Sequence, residues 1–225
     1  MRMRRRRRSG WWALLVVWCA GAALAATAEP DVLVRQATDE ILKRIKSNKD
    51  AYAADSKKLY AMVDELVLPH FDFRAMSKLV LGQNWRGASE DQRTRFTSEF
   101  RDLLVRTYST ALLKYTNEEI IYLPYRGPLT ERTAEVRVEV KSTAGARNVP
   151  LAYSFFRREA TDPWKVYDVT IDGVSLVTSF KTTYAERVQQ SGLDALIAQL
   201  AKDNREGKIE DPVGKSVEAK GKGNK

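Results

Sequence analysis

The sequence predicts an α+β domain, and three observations carry that reading. Apolar residues recur at helical spacing from Asp31 to about Tyr115. Between Glu119 and Asp172 the period switches to two, in four short runs separated by turn residues. Helical spacing then returns from Ser175 to Asn204. Sequential strands joined by short turns make an antiparallel meander, not βαβ units. Helices segregated before and after one such sheet define the class, and a curved sheet closed by helices can enclose an apolar cavity.

The elements follow in order. Leu33, Ala37, Ile41 and Ile45 recur every four residues and make one stripe of a helix over 31–45. A second helix covers 55–68, with Leu59, Val63 and Leu66 inward, and Pro69 stops it. Asp72 caps a third helix carrying Phe73, Met76, Leu79 and Val80, which Gly82 ends. Ser89-Glu90-Asp91-Gln92 has the form of a capping box. It opens the longest helix, with Phe96, Phe100, Leu103, Leu104, Ala111 and Leu112 on one face and Tyr108 at its margin. A short strand over 119–123 is ended by Pro124. Ala134, Val136, Val138 and Val140 alternate with charged residues, the pattern of a half-buried strand. Gly145 turns the chain into 149–157, where Leu151, Tyr153 and Phe155 share a face. After the Asp162-Pro163 turn, Tyr167, Val169 and Ile171 are expected on one side of a strand over 164–172, and Val166, Asp168 and Thr170 on the other. Gly173 breaks that strand, and helices over 175–190 and 193–204 close the domain.

Residues 1–28 read as a cleavable secretory leader. Arg2 and Arg4 to Arg8 form a positive stretch, Trp11 to Ala25 are almost wholly apolar, and Ala23-Leu24-Ala25 and Ala26-Thr27-Ala28 offer small-x-small cleavage sites. The apolar run is shorter than the roughly 20 residues of a spanning helix; retention as an uncleaved anchor is the competing reading. Trp18 before Cys19 argues against lipidation, where a small residue is wanted. Cleavage after Ala25 or Ala28 delivers the protein to the periplasm. The domain is then 29–204, and a disordered lysine-rich tail, 205–225, follows.

The formal net charge of +9 is a property of the two ends. The leader removes six arginines and no acid, and the stretch from Val213 onward holds four lysines and one glutamate. The body between is neutral, so composition gives no support to nucleic-acid binding. Cys19 is the one cysteine. Once it leaves with the leader, the core must come from packing without disulfides.

Few residues in the sequence offer catalytic or metal-binding chemistry. His70, the only histidine, sits between Pro69 and Phe71 at a helix junction. There is no Cys/His set for zinc and no phosphate-binding glycine loop. Ser175 and Ser179 have no histidine near in sequence. Asp168, inside an apolar strand, is the one carboxylate that burial could turn into a general base; pairing with an Arg or Lys would make it structural instead. No catalytic residue, cofactor or metal is assigned. Phe96, Phe100, Leu104, Tyr108, Val138, Tyr153, Phe155, Tyr167 and Val169 form the apolar interior. Periodicity alone favours a packed core there and does not distinguish it from a lipid-filled one.

Several linked segments add to this. Leu68-Pro69-His70-Phe71-Asp72-Phe73, Leu81-Gly82-Gln83-Asn84-Trp85 and Ala88-Ser89-Glu90-Asp91-Gln92-Arg93 are followed by Phe96, Phe100, Leu103-Leu104 and Thr107-Tyr108. Trp164-Lys165-Val166-Tyr167-Asp168, Asp172-Gly173-Val174-Ser175-Leu176-Val177 and Gly192-Leu193-Asp194-Ala195-Leu196-Ile197 complete the set. In order and spacing, over about residues 30–203, they resemble the MlaC family of toluene-tolerance auxiliary proteins.

The resemblance implies a non-enzymatic, soluble phospholipid carrier of the Gram-negative periplasm. It implies an NTF2-like curved sheet whose surrounding helices enclose a pocket for acyl tails. The nine apolar positions above are then the expected lipid-binding residues. The implied partners are an outer-membrane lipoprotein–porin complex and the MCE-domain subunit of an inner-membrane ABC transporter, in a pathway that maintains outer-membrane lipid asymmetry. The physics agrees: each buried CH₂ is worth about 0.8 kcal/mol, so a two-tailed lipid does not cross water unaided. An NTF2-like enzyme using Asp168 and a ligand-free periplasmic adaptor are the alternatives. His70 stands where the family more often has Tyr, and Phe180-Lys181-Thr182-Thr183-Tyr184 varies a Tyr-Arg-x-x-Phe pattern; partner-contact residues stay unassigned.

Overall fold

The computed structural model describes residues 28–113, 119–141 and 147–214. The leader up to Thr27, Cys19 and the tail from Lys215 lie outside the described residues, as do the turn at Gly145 and the helix end near Tyr115.

Helix α1 (Pro30–Ala54) starts with proline in its first turn, where a missing N–H costs nothing. It outruns the expected 31–45 by nine residues at its C-terminal end. Asn48 leaves helical geometry at φ −132° while its side chain donates to the Arg44 carbonyl at 3.0 Å, which bends the helix. Asp55 caps α2 (Ser56–Leu66) through the Lys57 N–H at 3.0 Å. A 3₁₀ turn, Leu68–His70, follows. Asp72 caps α3 (Phe73–Leu81) through the Ala75 N–H at 2.8 Å. Gly82, at φ +55°, ends α3 and starts the short α4 (Gln83–Gly87), which the sequence pattern did not separate. Helix α5 (Glu90–Leu112) opens on the expected capping box: Ser89 Oγ accepts from Gln92 N–H at 3.1 Å, and Gln92 Oε1 from Ser89 N–H at 2.9 Å.

Strands β1 (Ile120–Tyr122), β2 (Thr133–Val140), β3 (Val149–Phe156), β4 (Lys165–Ile171) and β5 (Val174–Ser175) form one antiparallel sheet in sequence order. Asp172 and Gly173 both take positive φ, 53° and 74°, the geometry of a two-residue hairpin turn between β4 and β5. Helices α6 (Leu176–Ser191) and α7 (Leu193–Glu206) close the domain. The α+β architecture is the one the period changes predict.

Two apolar clusters flank α5. The larger packs the inner sheet face against α3, α5, α6 and α7. The smaller joins α1 and α2 to the other side of α5 through Ile45, Tyr52, Leu59, Met62 and Val63. Leu112 belongs to this second cluster, not to the Phe96 face. Sixteen residues of helix turn it about 160° away from Phe96. Leu79, expected on the inward stripe of α3, is 43% exposed, while Met76 and Val80, one turn apart, are buried.

The described chain continues past Asn204. Gly207, at φ +70°, turns it back from α7, and the segment through Gly214 lies on α5 and α6. Val213 is 2% exposed inside the larger cluster. The polar composition of 205–212 hid this docking, because its anchors are carboxylates and a single valine.

Candidate functional site

The interior between the sheet and α5–α6 is lined by aromatic and β-branched side chains. Alternation along β2 and β3 turns Val136, Val138, Tyr153 and Phe155 inward, and helical spacing on α5 presents Phe96, Phe100 and Leu104 to them. Phe180 and Tyr184, one turn apart on α6, complete it. The Phe96 and Phe100 rings stack at 5.7 Å, Phe180 meets Phe100 edge-on at 5.1 Å, and Tyr184 meets Phe96 edge-on at 6.0 Å. Such offset and edge-on pairs are the favoured aromatic geometries. Phe180 and Tyr184 were missed as site residues; their i, i+4 spacing was the available signal.

Of the nine expected positions, Phe96, Phe100, Leu104, Val138, Phe155 and Val169 are buried in this one cluster. Tyr108 and Tyr153 pack against it. Burial, with Tyr122 nearby, pushes the Tyr153 phenol up to about 12. Tyr167 is the exception. A register shift beside Ser154 and Phe155 places Val166 opposite Phe155 and Val169 opposite Tyr153, so both valines reach the core. The bulge breaks the strict alternation. Tyr167 instead meets Phe156 edge-on at 5.8 Å, away from Val169.

Asp168 has a different job from either expected one. Its Oδ2 accepts from the Ser175 hydroxyl at 2.5 Å and its Oδ1 from the Val177 N–H at 3.0 Å. Ser175 in turn caps α6 through the Thr178 N–H at 3.0 Å. The carboxylate thus ties β4 to the first turn of α6, where orphan N–H groups and the helix dipole favour an anion. Its partners are not the Arg or Lys expected from sequence.

Two clefts flank Lys165 and Pro163 at one end of the sheet. One, about 360 Å³, is lined by Phe71, Phe73, Phe156, Arg157 and Arg158 among others; the second, about 280 Å³, by Leu33, His70 and Trp164. Both are at or below the small end of ligand cavities. Lys165 donates to the Pro69 carbonyl, and Asp72 N–H to the Val166 carbonyl at 3.0 Å, so the 3₁₀ turn is fastened to β4. Burial and the neighbouring Lys165 charge push the His70 pKa down. Among the described residues no group of His, Cys, Asp and Glu could hold a metal ion, and no helix is long and apolar enough to cross a membrane.

This arrangement can hold apolar groups. The family model described as MlaC protein matches residues 35–202. The chain belongs to the MlaC family. This chain resembles the "Intermembrane phospholipid transport system binding protein MlaC" of Haemophilus influenzae, with 26% identity over 79% of this chain and 83% of that protein. It resembles the "Toluene tolerance protein ttg2D" of Pseudomonas putida at 29% identity, over 80% of this chain and 83% of that protein. A phospholipid-binding protein from Ralstonia solanacearum, solved in complex with a phospholipid, superposes with a TM-score of 0.72 at 28% identity. That match covers 80% of this chain and 99% of the other.

Proposed function

We propose that this protein is a periplasmic phospholipid carrier that takes acyl chains between the inner sheet face and α5–α6. The observation that carries the reading is the phospholipid-bound Ralstonia solanacearum neighbour, matched over 99% of its length. The tails would lie among Phe96, Phe100, Leu104, Val138, Phe155 and Val169, with Tyr108 and Tyr153 beside them. Tyr167, the extra residue of the β4 bulge, meets Phe156 and is not among them. The carrier would pass lipid between an outer-membrane lipoprotein–porin complex and the MCE-domain subunit of an inner-membrane ABC transporter. Hydrocarbon tails make the same dispersion contacts as the side chains they part, so opening this interior for them forfeits little.

Solvent extraction of the purified mature protein followed by lipid mass spectrometry tests the reading. Phospholipid should co-purify near one molecule per chain. Val138→Glu or Val169→Glu should give folded protein by circular dichroism with much less lipid, because a carboxylate in hydrocarbon is costly while an open pocket admits water. A lipid-free wild type would overturn the carrier reading in favour of an adaptor. Global unfolding of both variants would place these valines in a packed core.

A further inference from the structure

The chain after α7 holds two carboxylates over three hydrogen-bond donors. Glu210 accepts from both terminal nitrogens of Arg187, at 2.6 and 3.1 Å, and lies 3.4 Å from the Tyr184 hydroxyl. Asp211 Oδ1 accepts from the Tyr108 hydroxyl at 2.9 Å. Three residues beyond Glu210, Val213 enters the apolar cluster that contains Phe96 and Phe100. Partly exposed acidic oxygens followed by a buried apolar group is the order of groups in a phospholipid: phosphodiester outside, acyl chain within.

The donors suit a phosphate. A guanidinium fork matches phosphate oxygens two at a time, as it matches the Glu210 carboxylate here. Burial first, and then the neighbouring carboxylates, push the ionisation of Tyr108 and Tyr184 well above the ordinary phenol value, so both remain O–H donors. The Arg187 guanidinium lies 5.6 Å from the Tyr184 ring centroid, a cation–π contact that keeps it beside the same residue.

We propose that Arg187, Tyr184 and Tyr108 form a phosphate site that Glu210 and Asp211 occupy until lipid arrives, with Val213 lying in the path of a tail. The inference rests on the carrier reading and adds a headgroup contact and a built-in competitor to it. A tethered competitor acts at high effective concentration, so it slows uptake without any change in the pocket itself. Displacing it exchanges carboxylate–donor bonds for phosphate–donor bonds of the same kind.

The test is uptake of a fluorescent phosphatidylglycerol from phosphatidylethanolamine/phosphatidylglycerol vesicles by the mature full-length protein. Glu210→Gln with Asp211→Asn should speed uptake at least threefold over wild type, and adding Arg187→Gln should remove that gain. In the double variant, inhibition by millimolar inorganic phosphate means the site accepts free phosphate. Arg187-dependent uptake that inorganic phosphate leaves unchanged means it accepts only lipid-borne phosphate. Uptake equal to wild type, or a gain that survives Arg187→Gln, overturns the site. A wild type that takes up no lipid overturns the carrier reading instead. Should the double variant fail to fold, Glu210→Gln alone retains the Asp211–Tyr108 bond and Val213, and the comparison with and without Arg187→Gln decides.

Discussion

Charging Val213 and deleting its segment should cost the same stability. Val213 is the one buried apolar side chain of residues 207–214 and is 2% exposed. An aspartate there would be an unpaired charge in an apolar cluster, which is expensive. The segment has an escape, because it leaves α7 at the Gly207 turn, φ +70°, and can undock there without opening the core. The loss is therefore bounded by the docking free energy of the segment, and truncation after Gly207 removes that same quantity. Burying one valine is worth about 1.5–3 kcal/mol. The Arg187–Glu210 pair, with side chains 40% and 19% exposed, adds less than about 1 kcal/mol. The freedom that the undocked chain regains offsets the polar links. A net of about 2 kcal/mol lowers the Tm of a domain this size by roughly 4–8 °C. Parallel thermal melts of wild type, Val213→Asp and the truncation, followed by circular dichroism, read this directly. A Val213→Asp loss far beyond that of the truncation would refute the reasoning, since the charge would then be trapped in an inseparable core. No loss in either would mean that the segment does not dock in solution.

Asp168→Ala strands the Ser175 hydroxyl and the Val177 N–H at the start of α6; it should cost about 1–3 kcal/mol in urea unfolding, with Asp168→Asn milder. His70 has a folded-state pKa below its ordinary 6.5, so the folded form disfavours its proton. The resulting stability is present above pH 6.5 and is lost as the pH falls through that value towards the folded pKa. His70→Gln should flatten the Tm difference between pH 7.5 and pH 5, and an unchanged difference would assign it to other groups.

The fold was legible wherever a period or a cap decided it. Asp72, Ser89 with Gln92, and the Asp172-Gly173 turn each do locally what their residue types predict, and none depends on the rest of the chain. Helix α1 was cut short because its last turns are polar and its bend at Asn48 interrupts the stripe, although Tyr52 is buried beyond it. What failed had non-local causes. Leu112 and Phe96 look equivalent on a helix read as one stripe, yet α5 is sandwiched, and only the packing of α1 and α2 reveals its second apolar face.

The candidate site shows the same division. Alternation in β2 and β3 put Val138, Tyr153 and Phe155 on the core side, as the register confirms. In β4, alternation grouped Tyr167 with Val169, but one bulge reverses the face of every residue on one side of it. Nothing in Lys165-Val166-Tyr167-Asp168-Val169 announces that bulge. Its cause is visible only in three dimensions. Phe71 pairs with Val166 on one side of the shift, while Asp168, on the other, reaches the start of α6. The two attachments ask the same strand to meet different neighbours with adjacent residues, and the extra residue satisfies both. A site assembled from a strand held in this way has its lining set by the contacts at the strand's edge as much as by its own pattern. Substitutions at Asp168 should therefore disturb the inner face at Val169 even though the two side chains point to opposite sides of the sheet.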